Sequence, residues 1–123
     1  IVSGLETNDE RKTIDILMTR LRALTQALDI GVIIVSHLKR PEGNKDHTDG
    51  LKTSLGQLRG SASIGQLSDV VIGVERCVSG EADSQTVCRI LKNRFAGITG
   101  VACQLEYDNQ KGRLFEHDNS LNF

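Results

Sequence analysis

The sequence has no Trp, one Tyr and three Phe, so aromatic residues make up only 3% of it. Any core must therefore be built from Leu, Ile, Val and Ala. Charge of one sign is also lacking: fifteen basic residues stand against sixteen acidic ones, for a net charge of -1. A globally basic chain would point to nucleic acid. This balance neither suggests nor excludes it, and leaves the question to how the charges are distributed. The three cysteines, Cys77, Cys88 and Cys103, are spaced too widely for a CxxC metal knuckle and read as buried, reduced thiols. No apolar stretch reaches membrane-spanning length and no signal-peptide pattern is present, so a cytoplasmic compartment and no membrane partner are expected. A GxxxxGK[ST] phosphate cradle is absent, as is a complete apolar strand ending in Asp that could help organise magnesium. The chain opens on Ile1-Val2-Ser3-Gly4, with no initiating Met. That reads as the end of a strand whose beginning has been cut away, so a fragment is expected.

What is present fits one soluble α/β domain. The 123 residues, 38% hydrophobic and 25% charged, suffice for a single core. Thr7-Asn8-Asp9-Glu10 fits a capping box, with Thr7 as N-cap. After it Ile14, Leu17, Met18, Leu21, Leu24 and Leu28 recur at helical spacing, while Arg11, Lys12, Asp15, Arg20 and Arg22 fill the other faces. The helix should end near Asp29, with Gly31 as its left-handed terminator. From Gly31 to Ser36 a run of β-branched residues without alternation predicts a strand covered on both faces, as in a parallel sheet. Residues 38–54 are polar and carry Pro41, Gly43 and Gly50, which predicts a long functional loop. A helical turn is expected over residues 59–66 and a second buried strand over 70–74. Three further strands, over 86–91, 101–107 and 113–117, are joined by Gly- and Asn-containing turns that predict antiparallel hairpins. Within the middle one, Val101, Cys103, Leu105 and Tyr107 should share a face.

Three groups of residues could carry chemistry. Ser36-His37-Leu38 follows the first expected strand, at the end where open α/β sheets bind ligands. His37 is either a phosphate sensor or a surface histidine without a task. Lys39, Arg40, Lys45, His47 and Lys52 put cations on the polar loop, interleaved with Glu42, Asp46 and Asp49. That loop could track a phosphate backbone or be a solvated mixed-charge loop. Nearby, Gly60 and Ser61 could offer backbone amides to an anion. Lys92-Asn93-Arg94-Phe95 closes a strand, where Arg94 could reach a γ-phosphate or form a surface salt bridge. Tyr107 reads as a core-edge residue, with base stacking as the alternative.

In order and spacing, several segments resemble the hexameric replicative DNA helicases. They are Thr7 to Leu28, Ile33-Ile34-Val35-Ser36-His37-Leu38-Lys39, Leu58-Arg59-Gly60-Ser61, Gln66-Leu67-Ser68-Asp69, Glu75-Arg76 and Arg89-Ile90-Leu91-Lys92-Asn93-Arg94-Phe95. The nearest branch looks like the phage primase-helicases and the mitochondrial replicative helicase, with bacterial DnaB-type helicases more distant. The resemblance implies a partial RecA-like P-loop NTPase fold over residues 1–123. Its central sheet would be mostly parallel, with helices on both faces and C-terminal antiparallel hairpins; the phosphate loop and upstream strands would be missing.

Function follows from the same resemblance: NTP hydrolysis at subunit interfaces, coupled to translocation on single-stranded DNA and duplex unwinding. The parent would be a homo-hexamer using ATP or dTTP with Mg2+, in a bacterial or phage-infected cell. The fragment alone would be inactive, with no nucleotide bound. By position His37 looks like the γ-phosphate sensor, and Arg94 like the arginine finger with Lys92 beside it. Arg76 and Tyr107 would hold the nucleotide's sugar and base. Lys39, Arg40 and Lys45, with Gly60 and Ser61, would line the DNA channel. Gly43 and Gly65 depart from the phage pattern, which has basic residues at those positions. A RecA-like recombinase or recombination mediator, and a non-enzymatic single-stranded DNA-binding module, are the alternatives.

Overall fold

The computed structural model describes residues 7–38, 52–58, 62–77 and 85–116. The chain divides into two compact units, residues 1–39 with 56–68, and residues 40–55 with 69–123.

In the first unit a long helix, α1 (Thr7–Leu28), packs with a short one, α2 (Ala62–Leu67). Helix α1 contains neither Gly nor Pro and is rich in Leu, Arg and other strong helix formers. Asp9 and Glu10 lie in its first turn, where the helix dipole favours negative charge. The hydroxyls of Thr13 and Thr19 donate to the carbonyls of Asp9 and Asp15, at 2.8 Å each, so these β-branched residues are satisfied within the helix. The helix stops earlier than the glycine signal indicates. Asp29, not Gly31, takes the left-handed conformation (φ 51°), and the Ile30 amide donates to the Thr25 carbonyl at 3.2 Å. That is the wide bond of a Schellman cap, closed here on an Asp, whose short polar side chain tolerates positive φ. The side chain of Thr7, the expected N-cap, lies outside the described residues. Along the apolar stripe only Met18 is buried, while Leu17, Leu24 and Leu28 are exposed.

Residues 31–37 depart most from expectation. They form neither helix nor strand and pair with no described strand, and Ile33 and Val35 are 97% and 89% exposed. A β-branched run favours extended backbone, yet a strand also needs a neighbour to complete its hydrogen bonds. The described residues of this unit contain no other strand. One antiparallel bridge, Leu38 to Leu58, closes the chain on itself just beyond the run.

The second unit is a four-stranded meander: β1 (Val70–Cys77), β2 (Gln85–Asn93), β3 (Gly100–Asp108) and β4 (Arg113–Glu116), in that spatial order. Every pairing is antiparallel, so the expected mostly parallel central sheet is corrected for the described residues. The reason is connection length. A parallel crossover takes about a dozen residues or more, and none of the links from Cys77 to Gln85, Asn93 to Gly100 or Asp108 to Arg113 is that long. The C-terminal hairpins are found as expected. Strand β1, read as buried, instead exposes Val70, Ile72 and Val74 on one face and buries Gly73 on the other. In β3, Val101 and Tyr107 are exposed, while Cys103 and Leu105 are half-buried. Register shifts beside Val71 and Cys88 mark bulges that add local twist.

Two turns of this sheet use one device. The Asn93 side-chain oxygen accepts from the amides of Phe95 (3.1 Å) and Ala96 (3.2 Å), and the Gly97 amide donates to the Asn93 carbonyl (2.8 Å). Asp108 does the same with Gln110 (2.9 Å), Lys111 (3.1 Å) and Gly112 (2.7 Å). Gly97 and Gly112 close these turns at φ 68° and 64°, a conformation only glycine adopts freely.

Candidate functional site

The turn that opens with Asn93 also carries Arg94. The Arg94 amide donates to the Asp69 carbonyl at 2.9 Å, and its Nη1 pairs with Asp69 Oδ1 at 3.0 Å. Asp69 immediately precedes β1, so the arginine is tied through main chain and side chain to the start of the neighbouring strand. The pair is open to solvent, with the Arg94 side chain 61% exposed. An exposed pair of this kind is worth about 0–1 kcal/mol, so the guanidinium can exchange Asp69 for another anion at little cost. Lys92 sits beside it on β2, half-buried and opposite Val71.

Arg76 and Tyr107 lie at the other end of the sheet. Arg76 pairs with Thr86, and Thr86 with Leu105, which places Arg76 and Tyr107 at one edge. Val70, by contrast, pairs with Asn93. The two ends are therefore about 20 Å apart, at roughly 3.3 Å per strand residue. Both Arg76 and Tyr107 are exposed. The Tyr107 hydroxyl lies beside Gly112, 3.8 Å from where a Cβ would stand. The four sheet residues thus form two pairs at opposite ends rather than one cluster.

His37, in the first unit, is exposed at the end of the β-branched run. It borders an open cleft with Ile14, Met18, Leu21 and Ile34, in which Glu10 is the one carboxylate. The lining is chiefly apolar. Lys39, Arg40, Lys45, Gly60 and Ser61 lie outside the described residues. No helix is long and apolar enough to cross a membrane, among the described residues. Nor is any group of three His, Cys, Asp or Glu side chains among them placed to hold a metal ion. Cys88 and Cys103 are free thiols on facing positions of β2 and β3, and burial pushes the Cys88 thiol up.

The best-organised polar cluster was not anticipated from composition or spacing. Glu75 on β1 receives a two-pronged contact from Arg89 on β2, Nε to Oε1 at 2.7 Å and Nη2 to Oε2 at 3.1 Å. Thr53 adds its amide (2.7 Å) and its hydroxyl (2.8 Å), both to Oε1. The Arg89 hydrogen bond, aided by the two from Thr53 and opposed by burial, holds the Glu75 carboxyl at about 2 rather than the usual 4.5. Thr53 is buried because Gly73 makes room for it: a Cβ at Gly73 would overlap the Thr53 hydroxyl and lie 3.3 Å from Leu91 Cδ1. A local signal existed for half of this cluster. Glu75 faces Val87, so Arg89 is its diagonal cross-strand neighbour, a favourable pairing for opposite charges. Nothing local marks Thr53.

Comparison with known proteins agrees with the resemblance noted above. The family described as DnaB-like helicase C terminal domain matches residues 1–116. Over 114 residues, 93% of this chain, the sequence is 41% identical to the DNA helicase/primase of Enterobacteria phage T3. The chain spans 20% of the length of that relative.

Proposed function

We propose that this chain, which belongs to the DnaB-like helicase C-terminal domain family, is the C-terminal part of a RecA-like motor domain in a ring-forming replicative helicase. The motor hydrolyses ATP or dTTP at subunit boundaries and converts turnover into movement along single-stranded DNA. The observation that carries this reading is Arg94. It stands on a turn fixed by Asn93 and is backed by the Asp69 carbonyl, with its guanidinium in solvent on a replaceable partner. Such an arginine can enter a neighbouring subunit's nucleotide site and stabilise charge developing on the transferred γ-phosphoryl group. Its turn is rigid before the partner arrives, so little ordering is left to do on binding.

The remaining residues divide the work. Lys92 adds positive charge beside the finger. Arg76 and Tyr107, at the far end of the sheet, hold the sugar and base. His37 senses the γ-phosphate of its own subunit's nucleotide. Immediately after it, Lys39, Arg40 and Lys45, with Gly60 and Ser61, grip the DNA backbone. Magnesium would accompany the nucleotide, although no cluster of ligands for it exists among the described residues. The recombinase alternative is weakened by the helicase family match and by the helicase/primase relative.

Two experiments test the reading. The 123-residue chain has no phosphate cradle in its sequence, so when purified it should hydrolyse no NTP above background. DNA-stimulated turnover by it would contradict the assignment. In the full-length protein, Arg94→Ala should abolish NTPase activity while leaving the subunit folded. Intact NTPase with weakened DNA binding would show that Arg94 is not the finger.

A further inference from the structure

We infer that Cys88 and Cys103 form a thiol–disulfide site: a dithiol across β2 and β3 that a low-molecular-weight disulfide converts reversibly to a Cys88–Cys103 bond. The inference goes beyond the motor reading and does not depend on it. The two residues face each other directly in the antiparallel β2–β3 register, and both are free and half-buried. Directly facing residues have Cα atoms about 4.5–5.5 Å apart, inside the window of about 4.4–6.8 Å that a disulfide spans. Their Cβ atoms, about 4.5–5.5 Å apart in such a pair, must approach to about 3.5–4.5 Å. The β2–β3 register shifts immediately after Cys88, and that irregularity gives the strand room to make the movement.

Reagents can reach the pair. Val74 faces Cys88 from β1 and is 63% exposed, so the sheet surface beside the thiols is open. Cysteines serving only as small apolar filler would lie beneath a covering layer.

The exchange needs one disulfide from outside the protein. Cys103, as thiolate, attacks one sulfur of that disulfide; its S–S bond breaks, a mixed disulfide forms, and the first small thiol leaves with a proton from solvent. Cys88 then completes the reaction. Burial first, and a hydrogen bond to Cys103 second, push its thiol up, so it keeps its proton while Cys103 makes the first attack. It then releases that proton to solvent, its sulfur attacks Cys103 Sγ, and the second small thiol leaves. In balance, two protein thiols lose two electrons and two protons, and the small disulfide gains both to become two thiols. The new bond staples β2 to β3 in the hairpin whose turn carries Arg94.

The experiment uses the full-length protein, with glutathione disulfide as the probe. After exposure, free thiols are alkylated, the protein is digested without reduction, and the peptides are mapped by mass spectrometry. The Cys88 and Cys103 peptides should be recovered joined and two hydrogens lighter than the separate pair, and dithiothreitol should release both. In urea the joined fraction should fall about tenfold, because the fold no longer holds the sulfurs together. Cys88→Ser should stop the exchange halfway, with glutathione retained on Cys103. Should that variant fail to fold, the wild-type map and its urea control decide alone. Full alkylation of both thiols, glutathione on each without a link, either cysteine joined to a different one, or a joined fraction no lower in urea would each overturn the inference.

Discussion

Arg89 and Arg94 lie on one stretch of chain and each pairs with a carboxylate, yet the two pairs are built differently. Arg89, in the middle of β2, makes a two-pronged contact to Glu75, with side-chain exposures of 18% and 13%, and Thr53 shares the acceptor. Arg94, past the end of the strand, makes one side-chain contact to Asp69, with exposures of 61% and 34%. The first is a two-pronged, half-buried contact fixed by its neighbours in the sheet. The second is held by a bond that solvent or a phosphate can replace. The difference teaches which arginine a fold keeps for itself and which it offers to a partner.

The predictions follow from pressing on that contrast. The largest effect belongs to Arg94→Ala in the full-length protein, which should lower kcat for NTP hydrolysis by about a thousandfold or more. Its thermal stability should change by no more than about 0.5 kcal/mol. Arg94→Lys should not restore the rate, since an ammonium lacks the planar fork. Steady-state NTPase assays and calorimetry check both parts. If Arg94→Ala instead unfolded the protein, the contrast between the two arginines would be lost.

Next in size is Gly73→Ala, whose Cβ would overlap Thr53 under the Glu75 cluster. Overpacking of this kind costs about 1–3 kcal/mol, measurable by urea unfolding of the isolated chain. Adding Thr53→Ala should recover part of the loss, because the two changes meet in one space. Full additivity would show that Thr53 does not occupy that seat.

A smaller and more specific effect is acid sensitivity. The Glu75 carboxyl is depressed to about 2 from 4.5. Its contribution to stability is therefore complete above pH 4.5 and is lost as pH falls through about 2. Wild-type melting temperature should fall across that window, and Glu75→Gln should start lower and vary less. Parallel curves for the two proteins would remove Glu75 from the account. The smallest effect should come from Asp69→Asn, which breaks the exposed pair with Arg94. It should change stability by no more than about 0.5 kcal/mol, because the Arg94 amide keeps its bond to the residue-69 carbonyl.

What the sequence made legible was local. Helix α1 follows from its apolar spacing, and the hairpins from Gly97, Gly100 and Gly112 between alternating segments. Arg94 follows a strand and opens into a turn, as its place in the sequence implies. The errors came where an answer depended on distant partners. Residues 31–36 have the composition of a covered strand, but composition does not supply neighbours, and the described part of that unit contains none. Residues 70–74 read as a second buried strand, whereas β1 is exposed on one face and its short link to β2 permits only an antiparallel return. Asp29 displaced Gly31 at the helix end because the Thr25 carbonyl was already within reach of the Ile30 amide. The tie between Thr53 and Glu75 joins residues far apart in sequence and leaves no periodic trace. Lys39, Arg40, Lys45, Gly60 and Ser61 fall outside the described residues, so their role rests on the helicase resemblance.

The central claim is that Arg94 serves a neighbouring subunit's nucleotide while His37 serves its own. Mixing full-length His37→Ala and Arg94→Ala subunits tests it directly. In a mixed ring some boundaries combine an intact His37 on one side with an intact Arg94 from the other, so the mixture should regain NTP turnover that neither variant has alone. A mixture no more active than the average of its two components would contradict the account.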